Sequence, residues 1–393
     1  MRRVLIANRG EIALRAVRAC RRLGLQSVAV HSSSDGNSPH VCAADHAVCI
    51  GPPPPPASYL NAAALIETAI ALKCDAIYPG YGFLSERSDF AAKCSEAGLT
   101  FVGPNEETIA CVGDKVAARR TAASQGVPIV PGSERGFTDA AEAVSARQEI
   151  GFPLLLKANG GGGRGIRIAE RPQDFAFEQA SAEAWGAFGR RDIYLERFFP
   201  EVHHVEIQVF GDIHGNYVHL WERDCSVQRR HQKLVEEAPS PVLDHATRRD
   251  MADAAVALIR ALKYVNTGTV EFIYDRASGK FYFIEMNTRT QVEHPVTEML
   301  TGTALVAEQL RIAAGEPLSV KQSPANCRSA IEFRINAEDV DQGFRPSPGT
   351  LSRWRPPKER DIRIDTHVYE GYAIPPYYDS YSVSRTSSPT SGI

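Results

Sequence analysis

The sequence predicts a mixed α/β and α+β protein: a doubly wound parallel sheet at the N-terminus, then a small α+β unit, then a longer region rich in strands. Three observations carry this prediction. Short apolar runs alternate with helical periods through the first hundred residues, the pattern of a parallel sheet covered by helices. Four consecutive glycines, Gly160–Gly163, interrupt two apolar runs of strand length. From His204 onward, long stretches alternate polar and apolar residues with a period of two, as half-buried antiparallel strands do.

The first strand is Arg3–Ala7, closed by the turn Asn8-Arg9-Gly10. Glu11–Leu23 places Ile12, Ala16 and Ala19 on one helical face, and Gly24 stops the helix. Gln26–His31 is a strand, followed by a helix over Asn61–Leu72, a strand over Ala76–Tyr78, a helix over Phe90–Ala97 and a strand over Thr100–Val102. Pro52–Pro56 reads as a stiff polyproline II connector, with docking to an aromatic groove as the alternative. Residues 1–113 form the first domain and 114–130 a linker. The α+β unit, 131–203, holds a helix over Asp139–Gln148, strands over Pro153–Ala158 and Ile166–Ala169, a helix around Phe175–Phe188 and a strand over Ile193–Phe198. Residues 204–380 form the strand-rich region. A serine-rich tail, 381–393, ends the chain; six of the residues from Asp379 to Ile393 are serine, without a strong hydrophobic period.

Composition narrows the function classes. At roughly 150 residues per domain, 393 residues suggest two or three domains. The 47 acidic residues against 44 basic ones give a net charge of −3, which argues against nucleic acid as the main partner. Eight cysteines without CxxC spacing indicate neither a disulfide scaffold nor a zinc knuckle. The apolar run at the N-terminus is too short for a signal-peptide core, and no run has membrane-spanning length. The expectation is a reduced, soluble, cytoplasmic protein.

Three features bear on chemistry. A glycine run, Gly160–Gly163 followed by Arg164 and Gly165, suits a mobile loop whose amides approach phosphate oxygens, or a plain flexible hairpin tip; Lys157, just before it, supplies a cation. The strands Thr267–Asp275 and Lys280–Asn287 flank a five-residue loop, Arg276–Lys280. If Asp275 faces Phe281, Glu271 lies opposite Glu285, with Cβ atoms about 5 Å apart. Two carboxylates so close need a proton or a hard cation such as Mg²⁺ or Mn²⁺ between them. The period of two adds Asn287 and Arg289 to that face, and Gln291 and Glu293 if the extended backbone persists. A solvated sheet face is the alternative. His204, Glu206 and Gln208 form another polar row, facing solvent or a cleft, and Arg229-Arg230-His231-Gln232-Lys233 is either a solvated turn or an anion-binding cluster. Two functions fit: a metal- and ATP-dependent ligase, or a nucleotide-binding scaffold without turnover.

These residues also carry a resemblance. Ile6-Ala7-Asn8-Arg9-Gly10-Glu11-Ile12-Ala13, Pro79-Gly80-Tyr81-Gly82-Phe83-Leu84-Ser85-Glu86, Arg229-Arg230-His231-Gln232-Lys233, Glu285-Met286-Asn287-Thr288-Arg289, Gln291-Val292-Glu293-His294-Pro295, Arg334-Ile335-Asn336-Ala337-Glu338-Asp339 and Pro375-Pro376-Tyr377-Tyr378-Asp379-Ser380 resemble the biotin carboxylase family, over residues 1 to about 380. The resemblance implies an ATP-grasp fold behind the N-terminal parallel-sheet domain. It implies MgATP-dependent activation of bicarbonate, through carboxyphosphate, and carboxylation of biotin on a carrier protein, as in the first half-reaction of acetyl-CoA carboxylase. Propionyl-CoA, methylcrotonyl-CoA, pyruvate and urea carboxylases, another ATP-grasp ligase, or a paralogue without activity remain alternatives.

By the same resemblance, Lys115, Lys157 and the loop Gly160, Gly161, Gly162, Gly163, Arg164 and Gly165 contact the ATP phosphates. Glu196, Arg197 and Phe199 belong to the adenine hinge, with His204, Gln228 and His231 around the nucleoside. Glu271, Glu285 and Asn287 hold the metal, with two metal sites implied. Lys233, Arg289, Gln291, Val292 and Glu293 form the bicarbonate pocket, with Glu293 as the base, and Arg334 stabilises the biotin enolate. The implied partners are the biotin carboxyl carrier protein, a carboxyltransferase and a second copy of the chain. Two departures stand out. The family usually has one more residue between the lysine and the four glycines, and after Ser380 it continues with further strand and helix where this chain reads Tyr381–Ile393. The latter suggests a truncated C-terminal domain with exposed apolar surface.

Overall fold

The computed structural model describes residues 1–393 except 134, 159–165, 231, 323–327, 380 and 388–393. The N-terminal part runs β1 (Arg3–Ile6), α1 (Gly10–Arg22), β2 (Gln26–Ser32), α2 (Pro39–Ala43), β3 (His46–Gly51), α3 (Ala62–Ala71), β4 (Ala76–Tyr78), α4 (Ser88–Glu96), β5 (Thr100–Phe101) and α5 (Glu106–Gly113). Its five strands are parallel, in the order β3-β2-β1-β4-β5. This is the expected doubly wound sheet, and its switch point lies between β1 and β4. There Asn8 donates its side-chain amide to the carbonyls of Pro79 (2.7 Å) and Tyr81 (2.8 Å), tying the first motif to the second. The proline run is not one extended connector: Pro55–Ala57 forms a turn of 3₁₀ helix.

The segment expected as a linker carries α6 (Lys115–Ser124). Asp114 caps it by accepting from the amides of Val116 and Ala117, and Ala118 and Ala122 are buried in the same core as the later strands. A small α+β unit follows: α7 (Ala140–Ile150), β6 (Leu154–Ala158), β7 (Ile166–Ala169), α8 (Phe177–Phe188) and β8 (Ile193–Arg197), with strands in the antiparallel order β7-β6-β8 over their own apolar core.

The remainder comprises β9 (Val202–Gly211), β10 (Tyr217–Arg229), β11 (Gln232–Ala238), α9 (His245–Ala261), β12 (Asn266–Asp275), β13 (Lys280–Asn287), α10 (His294–Thr301), α11 (Leu305–Ala313), β14 (Ala330–Asn336), β15 (Glu338–Asp339), β16 (Arg345–Pro346), β17 (Gly349–Thr350), β18 (Ile362–Thr366), β19 (Ala373–Ile374) and β20 (Tyr381–Ser387). Eight strands form one antiparallel sheet, β13-β12-β9-β10-β11-β14-β20-β18. Val205, Ile207 and Val209 of β9 and Val270 and Phe272 of β12 pack against Met251, Ala255 and Ile259 of α9. The serine-rich end is therefore not a tail from residue 381: β20 pairs with both β14 and β18, and Val383 is buried. Among the described residues, no helix is long and apolar enough to cross a membrane.

Candidate active site

The hairpin β12–β13 sets the geometry. Glu271 lies directly opposite Glu285, as the spacing predicts. The route to that register differs. Asp275 faces Lys280 rather than Phe281, so the loop is four residues, Arg276–Gly279, not five. A bulge between Glu271 and Phe272 restores the pairing: Phe272 faces Phe283 while Glu271 faces Glu285, leaving Ile284 as the extra residue.

The extended backbone stops at Asn287, so the condition under which alternation would carry Gln291 and Glu293 onto that face is not met. Side-chain hydrogen bonds make the polar residues converge instead. Arg289 donates to Asn287 Oδ1 at 3.1 Å and to Gln291 Oε1 at 3.0 Å. Asn287 and Gln291 both donate to Glu271 Oε1, at 2.7 and 3.1 Å. Arg289 Nε also reaches Glu86 at 2.8 Å, which ties the motif at the end of β4 to the site. Val292 is half-buried in the turn that leads into α10.

Lys233 of β11 is the centre of the charge network. Its ammonium meets Glu206 at 2.6 Å, Glu293 at 2.9 Å and Glu271 at 3.1 Å. Burial alone would lower its pKa, but these three carboxylates hold it well above the usual lysine value. Glu293 shows the reverse. Burial would raise its carboxyl, yet Lys233, Arg334 and Arg223 hold it well below the usual range. Glu271 is likewise lowered, despite burial, by Lys233 and His204, and His204, which bonds Glu271, is raised by it against the effect of burial. Arg334 of β14 bridges Glu236 (2.6 Å) and Glu293 (2.9 Å).

Four charged residues here had no assigned role in the sequence reading: Glu86, Glu206, Arg223 and Glu236. Glu206 lies on the polar row of β9, which lines the site rather than facing solvent. Arg223, fully buried beneath it, bonds Glu206 (2.6 Å), Gln208 (2.9 Å) and Thr297 (2.7 Å). The alternation of β9 carried a signal for Glu206; Arg223 reaches the site from β10, where no periodic signal marks it.

The proposed nucleotide residues are less closely gathered. Lys115, at the start of α6, lies 3.6 Å from Glu285. Lys157, at the end of β6, is ion-paired with Glu196 of β8, and Arg119 takes the other Glu196 oxygen at 3.2 Å. Arg197 turns back to the Ile150 carbonyl, and Phe199 stacks on Tyr282 with centroids 5.1 Å apart. Gln228 lies 2.9 Å from His204 Nδ1. His231 and the loop Gly160–Gly165, with Arg164, lie outside the described residues.

A cleft of about 560 Å³ is lined among others by Lys115, His204, Lys233, Glu285, Arg289 and Arg334; Lys157, Glu196, Arg197 and Phe199 are not part of its lining. The donor set fits a hard divalent cation. Glu271 and Glu285 offer carboxylate oxygens from opposed positions, Asn287 carries an amide oxygen two residues beyond Glu285 that Arg289 now occupies, and Lys233 and His204 bond the Glu271 carboxylate.

Residues 1–109 match the family described as "Biotin carboxylase, N-terminal domain", 114–321 match "Carbamoyl-phosphate synthase L chain, ATP binding domain" and 332–384 match "Biotin carboxylase C-terminal domain". The biotin carboxylase of Nostoc sp. is 51% identical over 382 residues, covering 96% of this chain and 85% of that protein. The chain belongs to the biotin carboxylase family. It is thereby an ATP-dependent ligase with the ATP-grasp fold. Biotin carboxylase 1 of Bacillus subtilis is 50% identical, covering 97% of this chain and 85% of the relative. The alpha subunit of rice methylcrotonoyl-CoA carboxylase is also 50% identical, over 96% of this chain and 52% of its own length. Among solved structures, the biotin carboxylase domain dimer of Hydrogenobacter thermophilus 2-oxoglutarate carboxylase, in complex with MgADP, ADP and bicarbonate, superposes with a TM-score of 0.93 at 46% identity, covering 98% of this chain and 86% of that one. A Campylobacter jejuni biotin carboxylase complex gives 0.95 at 42%, covering 98% and 87%. The third family match extends to residue 384, inside β20, beyond the motifs that end at Ser380.

Proposed function

We propose that this chain uses MgATP and bicarbonate to carboxylate biotin on a carrier protein. The observation that carries the reading is the meeting of Lys233 and Arg334, which both line the cleft along with Arg289, with one fully buried carboxylate, Glu293. Bicarbonate is an anion and a weak nucleophile, so it needs fixed cations to approach anionic ATP and a base to take its proton. Lys233, Arg289, Gln291 and the Val292 amide bind it, and Glu293 takes the proton. The cations around Glu293 keep it ionised at neutral pH; bound bicarbonate shares those cations, which lets the carboxyl rise toward a basicity suited to proton transfer.

Glu271, Glu285 and Asn287 would hold a divalent cation, which neutralises phosphate charge when bound. Lys115 and Lys157 bind the ATP phosphates, with Lys157 leaving Glu196 to do so. Glu196, Arg197, Phe199, His204, Gln228 and His231 surround the nucleoside. Arg334 stabilises the negative charge that develops on biotin. An arginine suits that task because it stays protonated in any accessible pH range. Carboxyltransferase and carrier partners, a homodimer, cytoplasmic location and acetyl-CoA as the final acceptor belong to the same proposal. Relatives of near-equal identity carry the name of methylcrotonoyl-CoA carboxylase, so the acceptor is the first point to test by reconstitution. The direct experiment measures phosphate release from MgATP with and without bicarbonate and free biotin. Release that requires bicarbonate and rises with biotin supports the reading; release indifferent to both overturns it.

A further inference from the structure

Among the described residues Arg334 meets two carboxylates, Glu236 and Glu293, and Glu293 already has a part in the chemistry above. The other, Glu236, accepts from Arg334 Nε at 2.6 Å while Nη2 donates to Glu293. Glu236 is wholly buried, and its second oxygen meets no hydrogen-bond partner among the described residues. The β11–β14 register places it directly opposite Glu332, which is also wholly buried. Glu332 in turn accepts from Ser384 and Thr386 of β20. Two opposed carboxyls, both out of water, do not both ionise. Arg334 favours the charge on Glu236, with Lys233 on the same strand supporting it and Glu293 opposing it. Among the described residues Glu332 accepts from hydroxyl donors alone and has no ion pair, the Arg334 guanidinium being bound to Glu236, so the proton belongs on Glu332. Burial and Glu236 both push the Glu332 carboxyl well above its usual range, and burial raises Glu236 to about 7 although Arg334 pulls it down.

We propose that Glu236 is a positioning residue for Arg334 in the biotin-dependent step, and that Glu332 is a neutral acid that leaves one anchoring charge in the pair. The proposal rests on the assignment of Arg334 to biotin. Its logic is sequential. When Glu293 accepts the bicarbonate proton, it loses the charge that holds Arg334 Nη2. Glu236 still fixes Nε, so the guanidinium stays in register, its outer edge turned to the cleft, as negative charge develops on the ureido oxygen.

The test uses the full chain with MgATP, bicarbonate and free biotin as acceptor. Glu236→Gln keeps the volume and an acceptor oxygen but removes the charge. Biotin-dependent ATP cleavage is expected to fall in kcat by about 10- to 100-fold, the scale of losing a partner that orients a functional group. ATP KM and the bicarbonate-dependent cleavage measured without biotin stay within about twofold, which also reports that the variant is folded. Glu236→Asp recovers part of the loss, and Glu332→Gln, isosteric with the neutral acid, stays within about twofold throughout. The proposal is overturned if Glu236→Gln matches the wild type with biotin, if it loses both activities equally or does not fold, or if Glu332→Gln falls as far. A wild type with no bicarbonate-dependent cleavage overturns the functional reading and this inference with it; a wild type with both activities isolates the role of Glu236.

Discussion

Lys233 decides the charge balance of the site, because three buried carboxylates converge on its ammonium and, among the described residues, no other cation meets all three. Lys233→Met is expected to destabilise the protein by about 3–5 kcal/mol at pH 8, the scale of leaving buried charge unpaired. Without the ammonium, the folded-state carboxyl pKa values rise. A group with a raised folded pKa contributes stability below its unfolded value and loses it as pH rises through the folded one. The loss should therefore shrink at pH 5, where a carboxyl can take a proton. Urea unfolding at both pH values checks this, and an equal loss at each would count against the network. Glu293→Ala should abolish bicarbonate-dependent ATP cleavage; a rate like that of the wild type would remove Glu293 from the base role. At this scale the sequence is informative where alternation on two strands of one hairpin puts polar groups side by side, as at Glu271, Glu285 and Asn287. It is silent where charges arrive from distant strands. Arg223 and Glu236 sit in ordinary apolar-polar contexts, and only the sheet order β9-β10-β11-β14 brings them under the same cleft.

Elements were legible through their apolar periods, and misread where polar atoms are buried. Strands β4, β7 and β13 fall where the pattern places them. The β12–β13 bulge has no local marker, so loop length and register were each off by one until the bulge compensated. Strand β20 hides for a different reason: its buried residues include Ser384 and Thr386, whose hydroxyls face the Glu332 carboxyl, so the core-facing row reads as polar. The site also depends on the turn after β4. Gly80 has φ +67, and a Cβ there would stand 2.9 Å from Asn8 Nδ2. Gly80→Ala would adopt a left-handed backbone and push Asn8 off the carbonyls of Pro79 and Tyr81. Together these effects should cost about 1–3 kcal/mol. A shift in the unfolding midpoint measures it, and a midpoint unchanged from the wild type would show that Asn8 moves without cost.

At the scale of the whole molecule, the N-terminal sheet is fastened to the last strands by a buried polar seam. Arg9 forms two hydrogen bonds of 2.7 Å to Asp35, which also accepts from Tyr59 at 2.7 Å. From the other side Tyr378 stacks on the Arg9 guanidinium, 4.0 Å from its ring centroid, and reaches Ser32 and the Pro53 carbonyl. Two buried histidines flank this seam, His40 on α2 and His367 after β18, and the Nδ1 of each has no hydrogen-bond partner among the described residues. Burial lowers His40 to about 4, against the pull of Asp35, and burial with the Arg9 charge lowers His367 to about 3. Both are neutral in the folded protein and become charged in the unfolded chain near pH 6.5. Below that value the unfolded state binds more protons, so stability is complete above pH 6.5 and declines as pH falls toward 4. Between pH 6.5 and 5 each histidine should cost about 2 kcal/mol. The double variant His40→Gln with His367→Gln should lose less stability than the wild type between pH 7 and pH 5, whatever its stability at pH 7, because the slope reports protons and the intercept reports packing. Urea unfolding at the two pH values separates them. Equal slopes would place the acid sensitivity of this fold elsewhere, in the carboxylates around Lys233 rather than in the seam.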